Sequence, residues 1–447
     1  MVENLFLNLY FLGILAIGYN SFKKIKDSSH FFIANKEANV FQVTGSLLAT
    51  ILGSSAVLGS VSFAYSSGWA GIWLLLCGAL GLGALLPLIK KFEKFKGYNL
   101  PELLGSFYGE EVRILSSFII SIAWIGIVAA QIMGAAQIIG IFTTISYFNA
   151  VIISGIIFII YTILGGQFSI IKTDCIQLLF ILLGIIVCFL FIFNIDMTYT
   201  APNVFNEKFG YTDLFVLVLT YSSTFFVGPD IYSRIFCAKD SSVAKKSIVI
   251  SIIILIPLAF ILAKIGIYAA GTFPNLTSGQ SPLLHVAANT LPKSVSLLLY
   301  FGLLSAVISS ADTSLLTASS IFTEIFTKNL KNIKSIKFTR VFIGVFGVFS
   351  ILVALKLKFI LSSLLLALSV YSGALIVPCF VGILGYRFKK SYVLSAILMG
   401  GFIALFGKIY GGTHSNHILI LAFFINALIL IIGKKNKKYI LVFYLPN

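Results

Sequence analysis

The chain has 447 residues, of which 59% are hydrophobic and only 11% charged, with a mean hydropathy of +1.03 and a formal net charge of +17. Such a composition excludes a soluble globular domain. Apolar runs recur from end to end, each about long enough to cross the roughly 30 Å hydrocarbon core of a bilayer, so the fold class expected is all-α and polytopic. The excess of base is then a membrane-orientation signal rather than an affinity for nucleic acid, and no nucleic-acid partner is expected.

Thirteen spans can be drawn, at 4–22, 41–65, 68–89, 113–144, 148–165, 173–194, 212–233, 247–271, 295–326, 338–355, 359–385, 391–409 and 415–433. The first has Glu3 and no basic stretch before it, so it reads as a span and not as a cleaved signal. Alternate loops hold nearly all the base, for example Lys23, Lys24 and Lys36, then Lys90 and Lys91, and later Lys328, Lys331, Lys334 and Lys337. The opposite loops hold Lys208, Lys293, Lys356, Lys358 and Lys408, while Lys264 lies inside span eight. The asymmetry predicts an N-terminus outside, a C-terminal tail (434–447) in the cytoplasm, and a multi-pass protein of the cell membrane, in a bacterium the inner one.

Most spans are plain Leu/Ile/Phe/Val segments. Span two is interrupted by Leu52-Gly53-Ser54-Ser55-Ala56-Val57-Leu58-Gly59-Ser60. Between spans five and six, Gly165-Gly166 marks a turn, after which Asp174 enters span six. Span seven carries Thr220-Tyr221-Ser222-Ser223-Thr224 and then Gly228-Pro229-Asp230. Spans two and seven are therefore candidates for broken helices, whose freed carbonyls are tolerated at membrane depth only where they line a cavity or bind something. The two lie five spans apart, the spacing of a 5+5 inverted repeat with halves at 41–194 and 212–385, preceded by 1–40 and followed by the last two spans at 391–433. Asp230 and Arg234, at i and i+4, read either as a surface ion pair or as gating residues closing span seven on the cytoplasmic side.

Span nine holds the densest polar run, Leu304 to Ser314. Ala306, Ser309, Asp312 and Thr313 fall at spacings of three and four and share one helix face. Carbonyl, hydroxyl and carboxylate oxygens on one face suit a small hard cation such as Na⁺. The five cysteines form no CxxC pair and no His lies deep in a span, so neither a disulfide framework nor enzyme chemistry is expected.

Together these stretches resemble the sodium:solute symporter family. Phe31-Phe32-Ile33-Ala34-Asn35-Lys36 is similar to that family's FFxAGR signature, and the run from Gly165-Gly166 to Thr173-Asp174-Cys175-Ile176-Gln177 to its GGxxSVxxTDxxQ motif. Asp230 to Lys239 is similar to PQxxxRxxxAK, and Ser305 to Glu324 to the core of span nine. The resemblance implies the leucine-transporter-like inverted-repeat fold and one domain, with Na⁺ as coupling ion and no organic cofactor. It implies a sodium site from the carbonyls of Ala49, Leu52 and Ala306 and the hydroxyls of Ser309 and Ser310. A second cation or a proton would sit among Asp174, Asp312 and Thr313, Asp312 replacing a serine of other members. An open break in span seven would place Tyr221, Ser222, Ser223 and Thr224 beside Ser54 and Ser55 of span two as the substrate cavity. The function expected is Na⁺-coupled symport of a small polar organic solute (an amino acid, small carboxylate or polyol). The alternatives are H⁺ coupling and a membrane sensor module.

Overall fold

The computed structural model describes residues 2–434 apart from 26, 93–96, 98, 144, 194, 196–198, 278–279, 329 and 358–359. Lys94, Lys96, Lys358, the first residue of the expected span eleven and the tail from Lys435 onward therefore lie outside the described residues. The described chain is helical throughout, with three isolated β-bridges and no strand among the described residues.

Span one is Val2–Phe22. Span two is in two pieces, Val40–Ile51 and Ser54–Ser67. Its start is fixed by a capping box, Asn39 accepting from the Gln42 N–H and the Gln42 amide oxygen accepting from the Asn39 N–H, each at 3.0 Å. The break falls at Leu52–Gly53, where a Cβ on Gly53 would lie 2.3 Å from the Ser310 hydroxyl oxygen. Only glycine allows span nine to approach so closely. Span three centres on Trp73–Leu85, and span four is Glu110–Phe142.

Spans five and six follow one another through Tyr147–Phe193, interrupted at Gly166 by φ 54° and ψ −165°. The expected loop over 166–172 shrinks to this one residue. The Tyr161 and Thr173 hydroxyls are 2.7 Å apart. On a continuous helix twelve residues span about 18 Å, so the chain must double back at Gly166. Asp174 is consequently not a helix-entry residue; it lies inside the helix that begins after Gly166, fully buried.

Span seven runs Tyr211–Leu217, a π-turn over Val218–Ser222, Ser223–Phe226, and then Pro229–Cys237. Its break is at Val227–Gly228, at the second of its two polar interruptions and three residues beyond the hydroxyl cluster. The cluster stays helical because its hydroxyls bond back onto the preceding turn: Thr220 to the Val216 carbonyl (2.8 Å), Thr224 to that of Tyr221 (2.7 Å), and Ser223 to those of Leu219 and Thr220. Proline at the first position of the following segment cannot continue the ladder, and that is where the chain opens.

Span eight is Ser241–Thr272, span nine Lys293–Thr327, span ten Ile333–Lys356, span eleven Ile360–Ile383, span twelve Lys390–Tyr410 and span thirteen Ser415–Ile432. Among the described residues ten helices are long and apolar enough to cross a membrane, and the shorter apolar helices Tyr10–Phe22 and Val40–Ile51 join them. Thirteen spans follow when Tyr147–Phe193 is counted as two across the reversal at Gly166, and when Ser54–Leu88 is divided into span three and the second half of span two, which pairs with Val40–Ile51. Span nine is the axis: every residue from Gly302 to Ile321 is buried. The outer helices turn Phe260, Phe349, Phe402 and Phe424 outward, as a lipid-facing surface requires.

Candidate functional site

The last turn of the first half of span two ends without continuing partners for its carbonyls, since the final four C=O groups of any helix have none within it. Opposite them stands span nine. The Ser310 hydroxyl donates to the Thr50 carbonyl at 2.8 Å and lies 3.5 Å from that of Ala49. The buried Thr50 hydroxyl has no partner among the described residues. A hydroxyl facing helix-end carbonyls, themselves at the negative end of a helix dipole, is an oxygen-rich place suited to a small hard cation. Of the five residues expected here, Ala49 and Ser310 come together. Leu52 and Ala306 are fully buried nearby in sequence terms. Ser309 departs: its hydroxyl donates to Asp174 Oδ1 at 2.5 Å.

Asp174 anchors a second polar cluster. Its Oδ2 accepts from the Ser46 hydroxyl and lies 3.6 Å from Arg234 Nη2. Arg234 also donates to the Thr313 hydroxyl, to Ser233 Oγ at 2.9 Å and to Gln167 Oε1 at 3.5 Å. Both Arg234 and Asp174 are 0% exposed. The surface-pair reading of Arg234 is thus corrected: the second half of span seven carries the guanidinium inward against span six, where burial demands a counter-charge. Asp312 is fully buried beside Thr313, and its Oδ2 has no hydrogen-bond partner among the described residues. Asp174, Asp312 and Thr313 therefore do share one cluster, but it already contains a fixed cation. Ser46, on the apolar half of span two, gave no sequence signal beyond a lone hydroxyl.

Between spans two, four, seven, nine and eleven lies a cavity of about 80 Å³. Tyr221, Thr224 and Ser55 line it, together with Ser310. Ser54, Ser222 and Ser223 do not: Ser54 donates to Gln131 Oε1 (2.7 Å), Ser223 is bonded to its own helix, and the Ser222 backbone packs against Gly81. Gln131 also accepts from the Ser54 N–H at 3.0 Å and donates to the Ser55 hydroxyl at 3.2 Å, capping the restarted half of span two. A single amide in the otherwise apolar run Ile127–Met133 was the available sign of it. Asp230 is not a surface residue either. It lines the cavity, its Oδ2 accepting from Trp124 Nε1 at 2.7 Å and the Ser314 hydroxyl at 3.2 Å.

Two broken helices beside one buried, polar, unbroken helix, with oxygen clusters at both breaks, can bind ions and a small solute but offer no nucleophile–base pair. Among the described residues no group of three or more His, Cys, Asp or Glu could hold a metal ion. The family model described as "Sodium:solute symporter family" matches residues 31–400. The chain is 22% identical over 403 residues to the sodium/pantothenate symporter of Escherichia coli (strain K12), covering 83% of each chain. It is 25% identical over 346 residues to the sodium/sialic acid symporter NanT of Aliivibrio fischeri, covering 70% of this chain and 67% of that one. Among solved structures it is similar to a substrate-bound, outward-open Na⁺-coupled sialic acid symporter, with a TM-score of 0.78, 20% identity and 98% and 99% coverage. It is also similar to Mhp1, a nucleobase-cation-symport-1 family transporter, in a closed conformation, with a TM-score of 0.61, 12% identity and 90% and 93% coverage.

Proposed function

The chain belongs to the sodium:solute symporter family, and on that premise we propose that it couples inward Na⁺ flow to uptake of a small polar organic solute by alternating access. The observation that carries this reading is the Ser310 hydroxyl set against the helix-end carbonyls of Ala49 and Thr50 at the break of span two. A Na⁺ there would tie the broken helix to span nine. It would thereby favour one arrangement of the cavity, so that ion and solute raise each other's affinity. Each Na⁺ crossing the membrane supplies about 2.3 kcal/mol per 100 mV. The termini are placed with the N-terminus outside and the C-terminus in the cytoplasm, because of the lysine asymmetry.

A second cation reading rests on Asp174 and Asp312. With Arg234 balancing one carboxylate, the other needs either a second Na⁺ or a proton. Proteoliposomes separate these. Uptake that requires Na⁺ and is not driven by a pH gradient alone supports Na⁺ coupling; full uptake on a pH gradient without Na⁺ overturns it. In the same assay Ser310→Ala is expected to raise the Na⁺ concentration for half-maximal uptake by about tenfold, the loss of roughly one net ligand interaction of 1.4 kcal/mol. An unchanged Na⁺ requirement removes Ser310 from the site.

A further inference from the structure

Asp230 stands on the cavity wall with one oxygen committed and one not. Oδ2 is held by Trp124 and Ser314. Oδ1 is shielded from solvent and makes no hydrogen bond among the described residues, although the Thr317 hydroxyl lies near the carboxyl. Among the described residues no other charged side chain lines this cavity. The nearest fixed cation is Arg234, one turn further along the same half-helix, and its hydrogen bonds go to Thr313, Ser233 and Gln167, with Asp174 as its ion-pair partner. Asp174 thus has the guanidinium as its partner, while Asp312 and Asp230 await partners if all three carboxyls ionise inside the spans. A buried carboxylate is retained at such depth where something balances it. A Na⁺ at Asp174 and Asp312 balances one of them, but Asp230 faces the solute cavity instead.

The rest of the wall points the same way. Trp124, Tyr221 and Phe225 are among the residues lining the cavity, with the Tyr221 and Phe225 centroids 5.2 Å apart in an edge-to-face arrangement. Aromatic faces attract cations and do so most strongly when water is excluded. Gln131 and the hydroxyls leave hydrogen-bonding capacity for a polar remainder, while no Lys or Arg is present to receive an anionic solute.

We propose that Asp230 is the specificity-determining residue for a solute bearing a positively charged nitrogen, a zwitterionic amino acid or a quaternary or primary ammonium compound. The inference rests on the symport reading above and narrows it. It sets this chain apart from carriers of purely anionic solutes and from carriers of neutral polyols, since a fixed carboxylate repels the former and gains no charge partner from the latter.

The test uses the purified full chain at saturating Na⁺, with thermal stabilisation and equilibrium binding as readouts. The probes are choline, glycine betaine, proline and lysine, set against myo-inositol and pantothenate. The expected result is millimolar or tighter binding of at least one of the four nitrogen cations and none of the other two. Asp230→Asn should lower that affinity by at least about tenfold while keeping the stabilisation given by Na⁺ alone, and Asp230→Glu should retain more of the affinity than Asp230→Asn. Retained Na⁺ stabilisation also shows that the variant folds. Binding of myo-inositol or pantothenate in preference, no response to any nitrogen cation, or undiminished affinity in Asp230→Asn overturns the proposal. Failure of the symport reading looks different: the wild-type chain would show no Na⁺ effect with any probe.

Discussion

Arg234 shows how a side chain's neighbours, not its spacing, fix its role. Its i, i−4 partner Asp230 is the obvious mate on a helix surface, yet the guanidinium meets Asp174 of span six and the Thr313 hydroxyl of span nine. The second half of span seven buries Arg234 fully and Asp230 in part, so little solvent is available to share the charge. Removing one member of a buried pair leaves the other uncompensated, typically at a cost of about 3–5 kcal/mol. Arg234→Met is therefore expected to lower thermal stability sharply in Na⁺-free detergent solution. Arg234→Met combined with Asp174→Asn should be less destabilised than the single variant. A double variant as unstable as the sum of the two singles shows that the pair is not coupled.

At the level of elements, each interruption has a local cause and a tertiary one. Gly166 turns spans five and six into a hairpin with a backbone conformation that side chains rarely adopt, and a Cβ there would lie 2.6 Å from the Phe31 ring. Gly140, near the end of span four, has nothing within 4 Å of the position a Cβ would take. Gly166→Ala is expected to destabilise by at least about 1–3 kcal/mol through backbone strain alone. Gly140→Ala should be neutral or stabilising by up to about 1 kcal/mol. Thermal unfolding of the two variants side by side checks the contrast, and equal behaviour would refute the claim that the reversal depends on Gly166. The break of span seven teaches the complementary point. Of the two interruptions in span seven, the hydroxyl-rich run satisfies itself on its own helix through Ser, Thr and a π-turn, and the opening comes at Gly228-Pro229.

For the whole molecule, the charge asymmetry makes a topological prediction that side-specific labelling can read. All five cysteines are buried, so background labelling should be low. Lys356 and Lys246 are both exposed, at the end of span ten and the start of span eight. In intact cells an impermeant thiol reagent should label Lys356→Cys. It should label Lys246→Cys only after permeabilisation. The opposite pattern would invert the orientation. The same asymmetry is silent about conformational state, because it counts charges in loops and not the packing between spans.

The membrane class, the spans and the breaking of spans two and seven were legible in the sequence, and Asp174, Ser310 and Asp312 stood out in it as polar residues within apolar runs. Hydropathy is a local property, and a polar residue in an apolar run is conspicuous wherever it points. What the sequence left open was which polar groups meet. Ser309 and Ser310 are neighbours on one helix, yet one serves Asp174 and the other the carbonyls of span two, since adjacent helical residues face about 100° apart. Gln131 and Trp124 passed as ordinary members of span four until packing placed the one over the restart of span two and the other against Asp230. Only tertiary structure could turn Arg234 from a presumed surface pair into the interior and Asp230 onto the cavity wall, because charge pairing across spans six, seven and nine depends on how three distant segments are brought together, and no local pattern encodes that.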